Sequence, residues 1–202
     1  MKTKDSTKKR RIVVGVTGAS GAIYAYRLVQ TLANSGIEVH FVASKAGWEV
    51  LKYECNVMHD DLTKLVSVIY DVNHIGSAIA SGSFPCEAMV VVPCSMKTLG
   101  MLAGGIADNL LTRSADVTLK EGRKLILVPR ETPMHAIHLE NMLKLAHAGA
   151  KIIPACPGFY HRPSSIDELV DMLVGKICDS LDVENNLFER WNGGKDSNIE
   201  YV

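Results

Sequence analysis

Arg113, Lys120, Arg130, Glu131, Glu140 and Tyr160 are the side chains in this sequence whose types and spacing suit chemistry on an anion. Arg130-Glu131 directly follows the apolar run Leu125-Ile126-Leu127-Val128-Pro129. Charges at the carboxyl end of a core strand are costly unless they are paired or functional. Arg113 and Lys120 are spaced by about two helical turns, so both can project from one helix face near the sheet edge. Taken alone, such a pair also suits a solvated face. Tyr160 follows the turn Pro154-Ala155-Cys156-Pro157-Gly158-Phe159, where a phenol either binds phosphate or covers the core. The expectation is a set of fixed charges clustered around a strand end.

Nothing in the bulk composition supplies that charge. The 202 residues carry 22 Lys plus Arg against 22 Asp plus Glu, so no global field recruits nucleic acid or an anionic membrane. An anion site must be local. An apolar content of 47% suits one compact domain, read as residues 11–191 between tails at 1–10 and 192–202. Met1 to Arg11 is basic and polar with no apolar signal core behind it. No run of about 18 apolar residues occurs, so no membrane span is expected. Cys55, Cys86, Cys94, Cys156 and Cys178 form no CxxC pair and are odd in number, which favours reduced thiols and a cytoplasmic location.

The elements that must position these residues alternate. Ile12 to Val16 reads as a buried parallel strand, Thr17-Gly18-Ala19-Ser20-Gly21 as a turn, and Ala22 to Asn34 as a helix. Gly36 ends that helix, Ile37 to Ala43 returns as a strand, and Ser44 opens a second helix to about Glu54. Further strands are expected at Ala88 to Val92, Lys124 to Val128 and Lys151 to Ile153. Helices are expected from Ser95 to Ala103, Asn109 to Lys120, Ile137 to Ala148 and Ser165 to Leu181. Short apolar runs between longer helical stretches predict a single-domain α/β fold, a doubly wound and mainly parallel sheet with helices on both faces.

In such a sheet, ligands bind at the carboxyl ends of the strands. Those ends carry Gly18-Ala19-Ser20-Gly21, Ser44, Ser95-Met96-Lys97-Thr98 and Arg130-Glu131. The first loop is G-x-x-G-x-x-G from Gly15, not the dinucleotide fingerprint, and Ser44 stands where a dinucleotide binder places an acid for the ribose. NAD is therefore disfavoured. Hydroxyls and backbone N–H groups at several helix N-termini suit the phosphate of a mononucleotide such as FMN. Each of Ser20, Ser44 and Ser95 is equally at home as an ordinary helix N-cap. His135, His138 and Glu140 lack a further ligand at metal spacing, so capping and packing is the reading there and no metal is assigned.

The combined pattern resembles the UbiX-like flavin prenyltransferases within the wider flavoprotein fold. The residues that carry it are Val16 to Gly21, Ala80 to Ser83, Pro93 to Thr98, Ala115 to Glu121, Val128 to Pro133, Ile137 to Leu143 and Pro157 to Tyr160. The resemblance implies transfer of a dimethylallyl group from dimethylallyl phosphate to N5 and C6 of reduced FMN. The prenylated FMN so made serves a separate UbiD-like decarboxylase. It further implies FMN contacts at Gly18, Ala19, Ser20, Ser44, Ser95, Met96, Lys97, Thr98 and Arg130. Lys120, Arg130, Tyr160 and Lys176 are implied as the donor-phosphate set, with Arg113 in support. Glu131 resembles an acid/base carboxylate, Ser20 a proton relay and Glu54 a further site carboxylate, with Lys120 acting on the leaving group. Trp191 matches an aromatic residue that closes the pocket. Cations and a phenol suit that chemistry because breaking an allylic C–O bond leaves negative charge on phosphate.

The chain departs from the pattern at Lys176, where the family commonly carries Arg. The charge is kept and the bidentate geometry is lost. Similar proteins form homo-oligomers, often dodecamers, with the active site between subunits, and the same is expected here. Two alternatives share the fold: an FMN-dependent decarboxylase of a cysteine-type substrate, and a non-catalytic flavin carrier.

Overall fold

The computed structural model describes residues 9–191, so the stretches 1–8 and 192–202, which hold most of the two expected tails, lie outside the described residues. The chain alternates strand and helix: β1 Arg11–Val16, α1 Ala22–Asn34, β2 Glu38–Ala43, α2 Lys45–Cys55, α3 His59–Thr63, β3 Val68–Tyr70, β4 Ala88–Cys94, α4 Met96–Ala103, α5 Leu110–Lys120, β5 Lys124–Pro129, α6 Ala136–His147, β6 Lys151–Ile152 and α7 Ile166–Ser180. The six strands form one parallel sheet in the order β3-β2-β1-β4-β5-β6. From β1 the chain builds outward through β2 to β3. It then crosses back to lay β4 on the other flank of β1, which makes the β1/β4 boundary the topological switch point.

The central strands are apolar at consecutive positions because both faces of the sheet are covered. Every residue of β4 is buried. On one face Leu28, Leu32, Phe41, Leu173 and Ile177 pack with α1 and α7 against the sheet. On the other, Val13, Met89, Leu99, Leu111 and Leu125 pack with α4 and α5. The α/β, doubly wound fold read from the sequence is the one observed. Burial raises the Cys94 and Cys178 thiols to about 12, so both remain neutral packing groups.

Three elements lay outside the reading of the sequence: α3, β3 and a 3₁₀ turn at Ala78–Ala80. β3 has three residues, sits at the sheet edge, and is paired only through His40, Phe41 and Val42 of β2. So short and partly exposed a segment shows no periodicity. Arg10, counted with the expected N-terminal tail, is held in place. Its guanidinium pairs with Glu87 at 2.8 Å and donates to the carbonyls of Leu181 and Asp182 at 2.8 and 3.0 Å.

Candidate active site

The β1 and β4 ends are tied at the switch point by a residue to which the sequence reading gave no role of its own. Thr17, buried after β1, donates through Oγ1 to the Pro93 carbonyl at 2.7 Å and accepts from the Ser95 backbone N–H at 2.7 Å. Ser95 then caps α4, accepting from Thr98 N at 3.3 Å. Ser44 caps α2 in the same way, accepting from Gly47 N at 3.0 Å. The loop after β1 lies directly on α2. A Cβ on Gly18 would stand 2.5 Å from Ala46 Cβ, and one on Gly47 would stand 2.5 Å from the Val16 carbonyl oxygen. The two serines therefore act as N-caps, and they place the N-termini of α2 and α4 at the carboxyl edge of the sheet. That is a fitting cradle for a nucleotide phosphate.

Ser20 departs from this pattern. The N-cap position of α1 is Gly21, at φ 107°, a conformation open to glycine and strained for other residues, and no side chain of its own caps the helix. Glu54, from the last turn of α2, does so in trans, accepting from Gly21 N at 2.8 Å and Ala22 N at 2.9 Å. Burial pushes its carboxyl upward. The Ser20 hydroxyl, those two N–H groups and the Arg130 charge outweigh burial and hold it below the usual carboxylate range. The α1 N-terminus thus holds a fixed anion of the protein itself.

Beside this capped end opens a cleft of about 450 Å³. Ser20, Glu54, Met96, Arg130 and Glu131, five of the residues singled out from the sequence, are among those that line it. Glu131 leans on its own turn, accepting from Thr132 N at 3.1 Å. Much of the remaining lining is apolar, with Ile23, Tyr24, Pro154, Ile166, Leu169 and Val170 contributing. Burial first, and Cys156 second, raise the Tyr24 phenol. No feature of the sequence had singled out Tyr24 or Leu169. Both became site residues only once α1 and α7 were packed side by side, an arrangement that the Arg27–Asp171 pair fastens at 2.6 Å.

Not all expected site residues gather here. Gly18, Ala19, Lys97 and Thr98 stand at the same carboxyl edge, in the β1 loop and the first turn of α4. Arg113, Lys120, Tyr160, Lys176 and Trp191 are not among the residues lining the cleft of their own chain. For Lys120 the reason is the direction of α5, which starts beside Val72 just past β3 and runs back toward the amino edge, where β5 begins. Arg113, in an early turn of α5, pairs with Asp116 at 2.8 Å. Lys120, at the far end, pairs with Glu121 beside Gly82, whose carbonyl Arg123 also binds. Tyr160 and Trp191 meet edge to face, 6.1 Å between centroids, and the Lys176 ammonium lies 5.5 Å over the Phe188 ring. His135 occupies the N-cap position of α6 but makes no cap bond, and its ring lies 3.5 Å from that of His138.

A doubly wound parallel sheet with two hydroxyl-capped helix N-termini at its switch point defines a flavoprotein-type mononucleotide site, and the family model described as Flavoprotein matches residues 1–186. Within that class the chain belongs to the UbiX-type flavin prenyltransferases. It is 50% identical over 185 residues to flavin prenyltransferase LpdB of Lactiplantibacillus plantarum, which covers 91% of this chain and 99% of that one. Among solved structures, that of AnUbiX in complex with FMN and dimethylallyl pyrophosphate superposes with a TM-score of 0.90 at 44% identity, covering 92% of this chain and 99% of the other. A dodecameric FMN-dependent Ubix-like decarboxylase from Escherichia coli O157:H7 gives 0.88 at 41% identity, covering 91% and 100%.

Proposed function

We propose that this protein joins the dimethylallyl group of dimethylallyl phosphate to reduced FMN at N5 and C6, making prenylated FMN for a UbiD-like decarboxylase. The observation that carries the reading is the convergence of Ser20, Glu54, Arg130 and Glu131 on one cleft whose remaining lining is largely apolar. Flavin and prenyl chain are apolar bodies with anionic ends, which is what such a cleft accommodates. Of the FMN contacts, the Ser44 and Ser95 helix ends suit the phosphate, with Gly18, Ala19, Lys97 and Thr98 around them. Ser20, Met96 and Arg130 lie toward the ring.

The transfer breaks the C1–O bond of the donor and the electron pair leaves with phosphate, while N5 gives up its proton and bonds C1. Closing the fourth ring adds a proton at C2 of the prenyl chain and removes one from flavin C6, so the second step neither gains nor loses atoms. Glu131, with Ser20 as relay, serves as the acid/base for these proton movements. Glu54 keeps a fixed negative charge near the allylic cation, and Arg130 faces the departing phosphate.

One cation is thin support for a phosphate leaving group, and the other members of the donor set point to a site completed by further copies of the chain. Arg113 and Lys120 lie away from the cleft of their own subunit and so are assigned to that of a neighbour, with Tyr160, Lys176 and Trp191 at the same boundary. The dodecameric relative and the exposed apolar side chains Ile137, Leu139 and Leu143 of α6 support an assembly of this kind. Among the described residues no helix is long and apolar enough to cross a membrane. None of the five cysteines is bonded to another, which suits the reducing cytoplasm.

The test is stoichiometric release of inorganic phosphate from dimethylallyl phosphate in the presence of reduced FMN. Phosphate release with no CO2 supports prenyl transfer. An intact donor, with CO2 evolved from a cysteine-type acid, would move the assignment to the decarboxylase reading. Running the diphosphate in parallel separates the two donor classes.

A further inference from the structure

Segment 184–191 folds back along α7, and its contacts land on the residues that flank the proposed donor side. Asn185 Nδ2 donates to the Gly175 carbonyl at 3.4 Å and to Asp179 Oδ1 at 3.0 Å. Arg190 grips the same Asp179 with two parallel hydrogen bonds, of 2.9 and 2.7 Å, the fork geometry that gives guanidinium–carboxylate pairs their directional strength. Phe188 sits against the bare Cα of Gly175, where a Cβ would stand 2.5 Å from the ring. That seat accounts for a glycine in mid-helix, where it weakens the helix relative to alanine. Phe188 in turn lies under two cations, Lys176 at 5.5 Å and Arg190 at 5.2 Å. One residue further on, Trp191 meets the edge of the Tyr160 ring.

A lysine ammonium is a point charge on a flexible stem, so its neighbours decide where it rests. A half-exposed phenol is likewise fixed only by what packs on it. We propose that Arg190 is a positioning residue for the donor side of the reaction: its paired bonds to Asp179 clasp segment 184–191 onto α7, seating Phe188 under Lys176 and Trp191 against Tyr160. This rests on the functional reading above, in which Tyr160 and Lys176 face the donor phosphate. The clasp acts on donor binding and leaves the flavin cradle at Ser44 and Ser95 untouched, since those caps lie on other elements.

The experiment compares Arg190→Gln, Asp179→Asn, Gly175→Ala and the conservative Arg190→Lys with the wild type in the assembled protein. It reads KM for dimethylallyl phosphate, kcat at saturating donor, Kd for FMN and Tm. Gly175→Ala keeps both Arg190 and Asp179 and favours the helix, while its Cβ, 2.5 Å from the Phe188 ring, forces that ring to move. The expected result is a donor KM raised about fivefold in the first three variants, of the order an exposed but well-formed ion pair supplies. FMN affinity holds, kcat stays within about twofold, and Arg190→Lys recovers part of the loss. An unchanged donor KM in Arg190→Gln and Gly175→Ala overturns the clasp, as does a parallel loss of FMN affinity and kcat. A wild type that makes no prenylated flavin overturns the functional reading, and the clasp with it.

Discussion

Thr17 Oγ1 and the backbone N–H of Ser95 meet at 2.7 Å across the switch point of the sheet, joining the end of β1 to the start of α4. Because the same hydroxyl donates to the Pro93 carbonyl, one side chain from the β1 loop satisfies two backbone groups of the β4–α4 junction. Thr17→Val keeps the shape and removes both bonds, leaving the Ser95 N–H without its partner. The expected cost is about 1–3 kcal/mol of stability, seen as a lower Tm, with a weakened FMN Kd because the α4 N-terminus is no longer held in place. An unchanged Tm and Kd would mean that the tie is dispensable.

Much of this was legible in the sequence, and particular residues show where legibility ends. The strands β1, β4 and β5 are apolar runs followed by Gly, Ser or Arg, so both the sheet and its functional edge could be read. Arg130 and Glu131 follow β5 directly and therefore had to stand at that edge. Lys120 could not be placed in the same way: helical spacing says that it shares a face with Arg113, but not that α5 carries it toward the amino edge. Ser20, just before a helix, could be read as a cap as well as a flavin contact. The cap is Glu54, brought from α2 by packing that no local pattern encodes.

Glu54 ties acid stability to the site. Its folded pKa lies below the ordinary 4.5, so its contribution is fully present above that value and is lost as pH falls through the lower folded value. Glu54→Gln keeps an acceptor for Gly21 and Ala22 but removes the titration. The difference in Tm between wild type and variant is therefore expected to be constant above about pH 5 and to shrink on acidification below it. A difference independent of pH down to the acid limit would show that the Glu54 charge does not stabilise the α1 N-terminus.

Gly47 must stay bare. A Cβ there would stand 2.5 Å from the Val16 carbonyl oxygen, a backbone atom that cannot rotate away. Gly47→Ala is expected to lose about 1–3 kcal/mol in denaturant unfolding. Gly122→Ala, at φ 65° with nothing within 4 Å, tests backbone strain without a clash and should cost less. The reverse order would discount the close approach of α2 to β1.

Glu131→Gln separates binding from chemistry. With Glu131 as the acid/base, kcat should fall by about 10²-fold or more while the FMN Kd stays within about twofold. Full activity in this variant would remove Glu131 from the mechanism.

Leu143 is 57% exposed and Ile137 62% exposed on α6, an apolar surface that none of the described residues covers. Leu143→Asp is expected to lower the assembly state measured by sedimentation and, with it, activity, because the proposed donor site draws Arg113 and Lys120 from another copy. A variant that dissociates yet keeps full activity would place the whole site within one chain.

The central claim is tested most directly by the mass of the flavin extracted after anaerobic incubation of the protein with reduced FMN and dimethylallyl phosphate. The account predicts a flavin heavier by one C5H8 unit, formed only when both substrates are present. Unmodified FMN recovered from protein that binds both substrates would contradict it.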